Sequence, residues 1–359
     1  MNMTAAITRC SSVTSTRSVM RKAGMRWGFI GAAIPRCKRR LLTREEKRMT
    51  AKAQSLAYVA FQVTDLALMR QFMTDFGMYP AGACDDGDTL LMRGVGTTPV
   101  IHVSHLGEDN RFLGLALNVS SAEDLRFLSN QPGASAIEDN PLPGGGQRVR
   151  LRTPDGIEII ALHGVQPAAP LPVRSVHLFN NAAEQPRVNN SIRARAAIAP
   201  VLSLGHCVLR VSNCRESSDW FTHHFGMVIS DFISTPALYP IGAFMRFDHG
   251  EALVDHHSLL INEADEIGLH HCGFEVQDLD AVYTAHEYLM EQGYELECGV
   301  GRHLLGSQIY DYWRDPFGNR VEHYTDGDRV NHHHQATHFT GSGDGTTQWG
   351  MKVPPSFFS

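Results

Sequence analysis

Three polar residues stand where an internal duplicate of the same chain has none. His206, His271 and Glu322 lie in strand-like runs, and the matching runs earlier in the chain carry Tyr58, Gly114 and Ile160. Fifteen of the 19 histidines fall after residue 200, so the later copy is the one that needs imidazole. A lone strand histidine is more often packed or solvated than functional; three residues missing together from a sister copy are a stronger signal. Two neutral imidazoles and one carboxylate suit a divalent cation and leave coordination positions open. That donor set belongs to mononuclear non-haem Fe(II) oxygen chemistry, and Mn(II) accepts it equally.

The runs that carry these residues alternate with period two, which is the mark of a half-buried strand. Around His206, the residues Cys207, Leu209 and Val211 face one way and His206 with Val208 the other. Around His271, the residues Cys272, Phe274 and Val276 point outward and His271 with Gly273 inward. Around Glu322, Val321 points away while Arg320 and Tyr324 share its side. Alternation therefore allows all three to converge on one concave surface. Cys207 and Cys272 alternate to the far face and are read as buried apolar fillers.

The repeat is visible at three places. Leu56 to Asp65 followed by a helix from Leu66 to Phe76 matches Leu204 to Asn213 followed by Arg215 to Phe225, and the two end alike at Gly77 and Gly226. Phe112 to Val119 with a helix opening at Ser121 matches Leu269 to Val276 with a helix opening at Leu279. Thr153-Pro-Asp-Gly entering a strand matches Asp315-Pro-Phe-Gly. Strands alternating with helices in two such copies predict an α+β fold whose sheets curve around a concave face.

We divide the chain into a basic N-terminal extension (1–52), a first, metal-free module (53–165), a Pro/Ala/Asn-rich linker (166–200), a second, metal-binding module (201–328) and a polar tail (329–359). The extension holds 13 basic and 2 acidic residues, leaving 19 basic and 36 acidic for the remainder, and the net charge of −6 gives no sign of nucleic-acid binding. Its composition resembles a transit peptide, but Met49 is an equally natural start, and the segment is read as an unfolded upstream extension. The longest uncharged stretch near the start, nine residues from Trp27 to Pro35, is far short of the roughly 20 that span a bilayer. Seven cysteines without a CxxC pair argue against a disulfide framework and for a reducing cytoplasm. His332-His-His334 is read as solvent or lid, and His223, His224 and His286 as surface residues on helices.

The stretch from Gly301 to His323 resembles the type I extradiol ring-cleaving dioxygenases of the vicinal oxygen chelate superfamily. His303, Tyr312, Asp315, Pro316, Gly318 and Glu322 stand at that family's spacing, and the likeness extends over roughly residues 53–328. Asp311, before Tyr312, departs from the apolar residue usual there; Trp349-Gly and Pro354-Pro resemble the ends of some members. The resemblance implies two tandem modules of paired βαβββ units, the glyoxalase-like fold, with His206, His271 and Glu322 as Fe(II) ligands. It implies His257, rather than its neighbour His256, as the active-site base. It further implies a protonated His303 that steadies bound dioxygen, and Tyr312 as hydrogen-bond partner of the bound substrate oxygen. The implied activity is O2-dependent meta cleavage of a catechol, by default catechol itself, to a 2-hydroxymuconic semialdehyde-type product in aromatic catabolism, by a homo-oligomer. Two rivals stay open: a glyoxalase-like isomerase on the same scaffold, and a non-enzymatic binder of aromatic ligands.

Overall fold

A computed structural model describes residues 50–82, 87–341, 345–354 and 357; the basic extension up to residue 49 lies outside them. The first module contributes β1 (Ala53–Val63), α1 (Leu66–Asp75), β2 (Tyr79–Pro80), β3 (Thr89–Arg93), β4 (His102–Leu106), β5 (Arg111–Val119), α2 (Ala122–Ser129), β6 (Glu138–Asp139), β7 (Gln147–Arg152) and β8 (Glu158–His163). These strands form one sheet in the order β2-β3-β4-β1-β5-β8-β7-β6. Each half of that order is one βαβββ unit, and the two halves join through the antiparallel pair β1–β5.

The second module repeats the plan with β9 (Ser203–Val211), α3 (Cys214–Phe225), β10 (Val228–Ser234), β11 (Pro240–Arg246), β12 (Val254–Asp255), β13 (Leu259–Glu263), β14 (Gly268–Glu275), α4 (Leu279–Glu291), β15 (Glu295–His303), β16 (Ile309–Arg314) and β17 (Arg320–Thr325). Its sheet runs β10-β11-β13-β9-β14-β17-β16-β15, again two units joined at one antiparallel pair, β9–β14. The α+β class and the tandem βαβββ plan are as expected.

The residues after Asp328, read as a polar tail, add β18 (Arg329–Val330), β19 (Thr337–Phe339) and β20 (Thr347–Gly350). β19 pairs with β10, and β20 with β15, so the segment lines both edges of the second sheet.

Local chemistry explains the helices. Asp65, Ser121, Asn213 and Asp278 each stand in extended backbone and accept an N–H from the first turn, as N-caps do. Gly226 closes α3 in the left-handed region at φ 65°, where a side chain would be strained. One buried apolar cluster runs through both modules. Asp75 at the end of α1 accepts from Tyr288 Oη at 3.0 Å and Tyr294 Oη at 2.6 Å. His323 Nε2 donates to Phe76 O at 2.8 Å. The outward residues Cys207, Leu209, Cys272, Phe274 and Val321 sit in this core, which leaves their alternates on the concave face.

Candidate metal centre and the pocket above it

Strand register brings His206, His271 and Glu322 together. β9 places His206 opposite Gly273 of β14, and β14 places Gly273 opposite Glu322 of β17. The central strand therefore offers a glycine between an imidazole and a carboxylate. A Cβ on Gly273 would stand 2.2 Å from His206 Cε1, so the missing side chain is the space the ring occupies. His206 Nε2 lies 3.3 Å from His271 Nε2 and 2.7 Å from Glu322 Oε2, and His271 Nε2 lies 3.4 Å from the same oxygen. All three residues are buried.

The donor set fits a divalent metal ion. Neither oxygen of Glu322 accepts a well-formed hydrogen bond from the described residues. A buried carboxylate left in that state is costly unless a cation neutralises it. Two imidazole nitrogens and one carboxylate oxygen within 4.8 Å of one another supply the place for that cation.

The far sides of the two rings are also engaged. His206 Nδ1 faces the Gln308 amide at 3.5 Å, and His271 Nδ1 lies 2.7 Å from His270 Nδ1. His270 Nε2 in turn reaches Phe357 O at 2.5 Å. Such outer partners fix the tautomer and angle of a metal-binding imidazole. Sequence reading missed both. His270 should point away from His271 by alternation, but the β9–β14 register shifts between Leu269 and His271, and that bulge turns both rings to the pocket. The His270-His271 doublet was the available signal.

A cavity of about 390 Å³ opens above the three residues, lined by His257, His303 and Tyr312 and by the apolar Ile233, Ile241, Phe244, Leu260 and Phe339. The His257 ring centre lies 5.0 Å from that of His206. Burial, reinforced by the neighbouring His206 and His256 rings, pushes its pKa well below the usual histidine value, so the ring is neutral. His303 Nε2 lies 2.7 Å from Tyr312 Oη and 4.0 Å from Glu322 Oε1. Burial lowers His303 to about 4, against the pull of Glu322. Glu322 offsets only part of that desolvation, so the ring of the metal-free chain is held neutral. Burial, with Glu322 beside it, raises Tyr312 and keeps it a phenol.

Asp311, the departure from the apolar pattern, is fully buried and satisfied. It accepts from Trp313 Nε1 at 2.6 Å and lies 2.9 Å from His286 Nδ1. His286, expected at the surface, is therefore half-buried, and the carboxylate explains it. His223 is exposed, while His224 stacks on Trp220 at 4.3 Å. His332 and His333 are exposed near Glu251, whereas His334 folds inward and donates to Ser230 O at 3.0 Å. Cys207 and Cys272 are fully buried on the far face, and burial pushes both thiols up. In the first module, Tyr58 and Ile160 pack with Leu91, Val103 and Ala116 in an apolar cluster, and burial pushes the Tyr58 hydroxyl up to about 12.

Fold and site together define a tandem glyoxalase-type scaffold with a two-histidine, one-carboxylate cluster in its second sheet. Residues 203–323 match the model of the Glyoxalase/Bleomycin resistance protein/Dioxygenase superfamily. The chain is 25% identical over 311 residues to metapyrocatechase 2 of Cupriavidus necator, covering 84% of this chain and 91% of that protein. It is 24% identical over 287 residues to a biphenyl-2,3-diol 1,2-dioxygenase of Metapseudomonas furukawaii, covering 75% and 85%. Among solved structures, homoprotocatechuate 2,3-dioxygenase of Brevibacterium fuscum aligns with a TM-score of 0.70 at 18% identity, covering 86% and 92%. The Mn(II)-bound glyoxalase of Novosphingobium aromaticivorans aligns at 0.71 and 20%, covering 86% and 95%. These likenesses bear out the resemblance to the extradiol dioxygenases and the glyoxalase-like fold.

Proposed function

We propose that this protein is an Fe(II)-dependent extradiol dioxygenase that cleaves a catechol-type diol with O2 to a 2-hydroxymuconic semialdehyde-type product. The observation that carries the reading is the orphaned Glu322 carboxylate meeting two imidazoles on the floor of a pocket whose walls hold three proton-handling side chains. The relatives named above, ring-cleaving enzymes matched over most of both chains, support it.

A ferrous ion held by His206, His271 and Glu322 would acidify a bound diol and provide the path for electrons between ring and dioxygen. The chain's own residues handle the protons. Neutral His257 takes a diol proton at a position excluded from bulk water. Tyr312, held as a phenol, donates a hydrogen bond to a substrate oxygen. His303 begins neutral, so its positive charge arises by proton uptake during turnover and then stabilises negative charge developing on oxygen. The apolar walls favour a diol with an apolar substituent over one with a charged tail, and the volume falls within the ~300–1,000 Å³ of small-molecule pockets. In this reading, residues 53–165 are a metal-free structural module, 166–200 a linker, and the enzyme a homo-oligomer of the cytoplasm. Among the described residues, no helix is long and apolar enough to cross a membrane.

The test is anaerobic loading with Fe(II) or Mn(II), followed by oxygen uptake across a panel of catechol and its alkyl, aryl and carboxyl derivatives. The expected result is one O2 consumed per ring with iron, a yellow product, and faster turnover of apolar catechols. Absence of uptake with every diol would overturn the assignment, and turnover of a glutathione hemithioacetal would point to the isomerase.

A further inference from the structure

Behind His257 lies a row of buried polar groups that the reaction above does not use. His256 turns away from the cavity. Its Nδ1 stands 3.2 Å from His257 Nδ1, and its Nε2 stands 2.8 Å from Asp231 Oδ2. The other carboxylate oxygen, Oδ1, accepts from the Thr337 backbone N–H at 2.7 Å and from Thr337 Oγ1 at 2.6 Å. His334 remains 3.9 Å from Asp231 Oδ2 and spends its Nε2 hydrogen on Ser230 O. That donation, together with the engaged Oδ1, makes this cluster a hydrogen-bonded row rather than a second metal site.

Donor and acceptor roles along the row follow from chemistry. Burial alone would raise the Asp231 carboxyl, but the donors from His256 and Thr337 outweigh it and hold the group below the usual carboxylate range. An ionised carboxylate only accepts, so His256 Nε2 carries a hydrogen. A neutral His256 then has a bare Nδ1, and this atom accepts from His257 Nδ1–H, because two bare nitrogens at that separation repel. The hydrogen of His257 being on Nδ1, its Nε2 is left bare. That ring borders the cavity, and Nε2 meets no hydrogen-bond partner among the described residues.

The geometry points to Asp231 and His256 as positioning residues that hold the hydrogen of His257 on Nδ1 and present its Nε2 lone pair to the substrate. The value of this arrangement rests on His257 acting as the base, but the tautomer is a property of the metal-free chain and is measurable without turnover. A second-row carboxylate that fixes an imidazole tautomer for a base is a general device; the distinctive element here is that the control passes through a second imidazole. The adjacent His256 is thereby given a role, and so is the strand after residue 336, whose Thr337 fixes the carboxylate.

The experiment uses ¹⁵N-histidine-labelled full chain, free of metal, with the His257 signals identified by their loss in His257→Gln. The expected wild-type spectrum shows His257 protonated on Nδ1. In Asp231→Asn, Thr337 still holds Oδ1, so the amide NH2 faces His256 Nε2 and the row reverses, giving His257 protonated on Nε2. With iron loaded, that variant should keep its metal content and KM while kcat falls by about 100-fold or more, the loss typical of a disabled general base. His256→Phe, which removes the row, should likewise retain iron and lose kcat. A wild-type His257 protonated on Nε2, as an imidazolium at His256 would impose, overturns the proposal, as does an Asp231→Asn spectrum without reversal. If the Nδ1–H tautomer is seen but no diol is turned over, the dioxygenase reading fails and the tautomer assignment stands.

Discussion

Glu322 is the residue on which two opposing demands meet. Its carboxylate is buried and accepts no well-formed hydrogen bond from the described residues, a condition that costs about 1–3 kcal/mol for a polar group and more for a charged one. Glu322→Gln should therefore raise the unfolding free energy of the metal-free protein by about 1–3 kcal/mol while abolishing tight metal binding; denaturant titration and metal analysis of one preparation check both. Gly273→Ala tests the same cluster from the backbone. Its Cβ would collide with the His206 ring at 2.2 Å, so metal affinity should fall while the far-ultraviolet circular dichroism is unchanged. His206→Ala should lose the metal, whereas His257→Ala should keep it and lose about 10²–10⁴-fold in kcat.

At the scale of elements, strand alternation made most of the site legible. The inward placement of His206, Gly273 and Glu322 follows from period two, because Cys207, Cys272 and Val321 have an apolar core to enter. Alternation failed where the strand did, at the bulge beside His270, and sequence carries little signal for a one-residue register shift. It also failed after Asp328, where strands of two to four residues are too short to show periodicity, so the arrival of Phe339 at the pocket and of Thr337 at Asp231 was hidden. His286 looked like surface because its partner Asp311 lies on another element. No sequence signal marked how the segment 166–200 is anchored. Arg174 Nη1 donates to Asp278 Oδ2 at 2.8 Å, and Asp278 also caps α4. Burial raises the Asp278 carboxyl, yet the Arg174 guanidinium and the capping N–H donors prevail and hold it low. A depressed carboxyl stabilises above its unfolded pKa near 4 and loses that contribution as pH falls through the folded value. Asp278→Ala should cost about 1–2 kcal/mol at pH 7, and the difference from wild type should shrink below pH 4 in parallel denaturation curves.

At the scale of the whole molecule, Phe357 reaches back across the second module to line the pocket. Phe357 packs at 4.8 Å from His270 and 4.9 Å from Tyr312, and its carbonyl accepts from His270. Truncation after Met351 should thus weaken metal binding by about 10–100-fold, as loss of an outer partner does, and raise KM for the diol; metal titration and steady-state kinetics read the two effects separately. A larger consequence follows from where the cluster sits. His206 belongs to the third βαβββ unit, His271 and Glu322 to the fourth, and the two units join in the sheet through the β9–β14 ladder. An ion seated there is a rivet through the joint between the two halves. Withdrawing it should slacken that joint before anything else in the molecule, so chelation should speed deuterium uptake along β9 and β14 while β1 and β5, the same joint in the sister module, keep their protection.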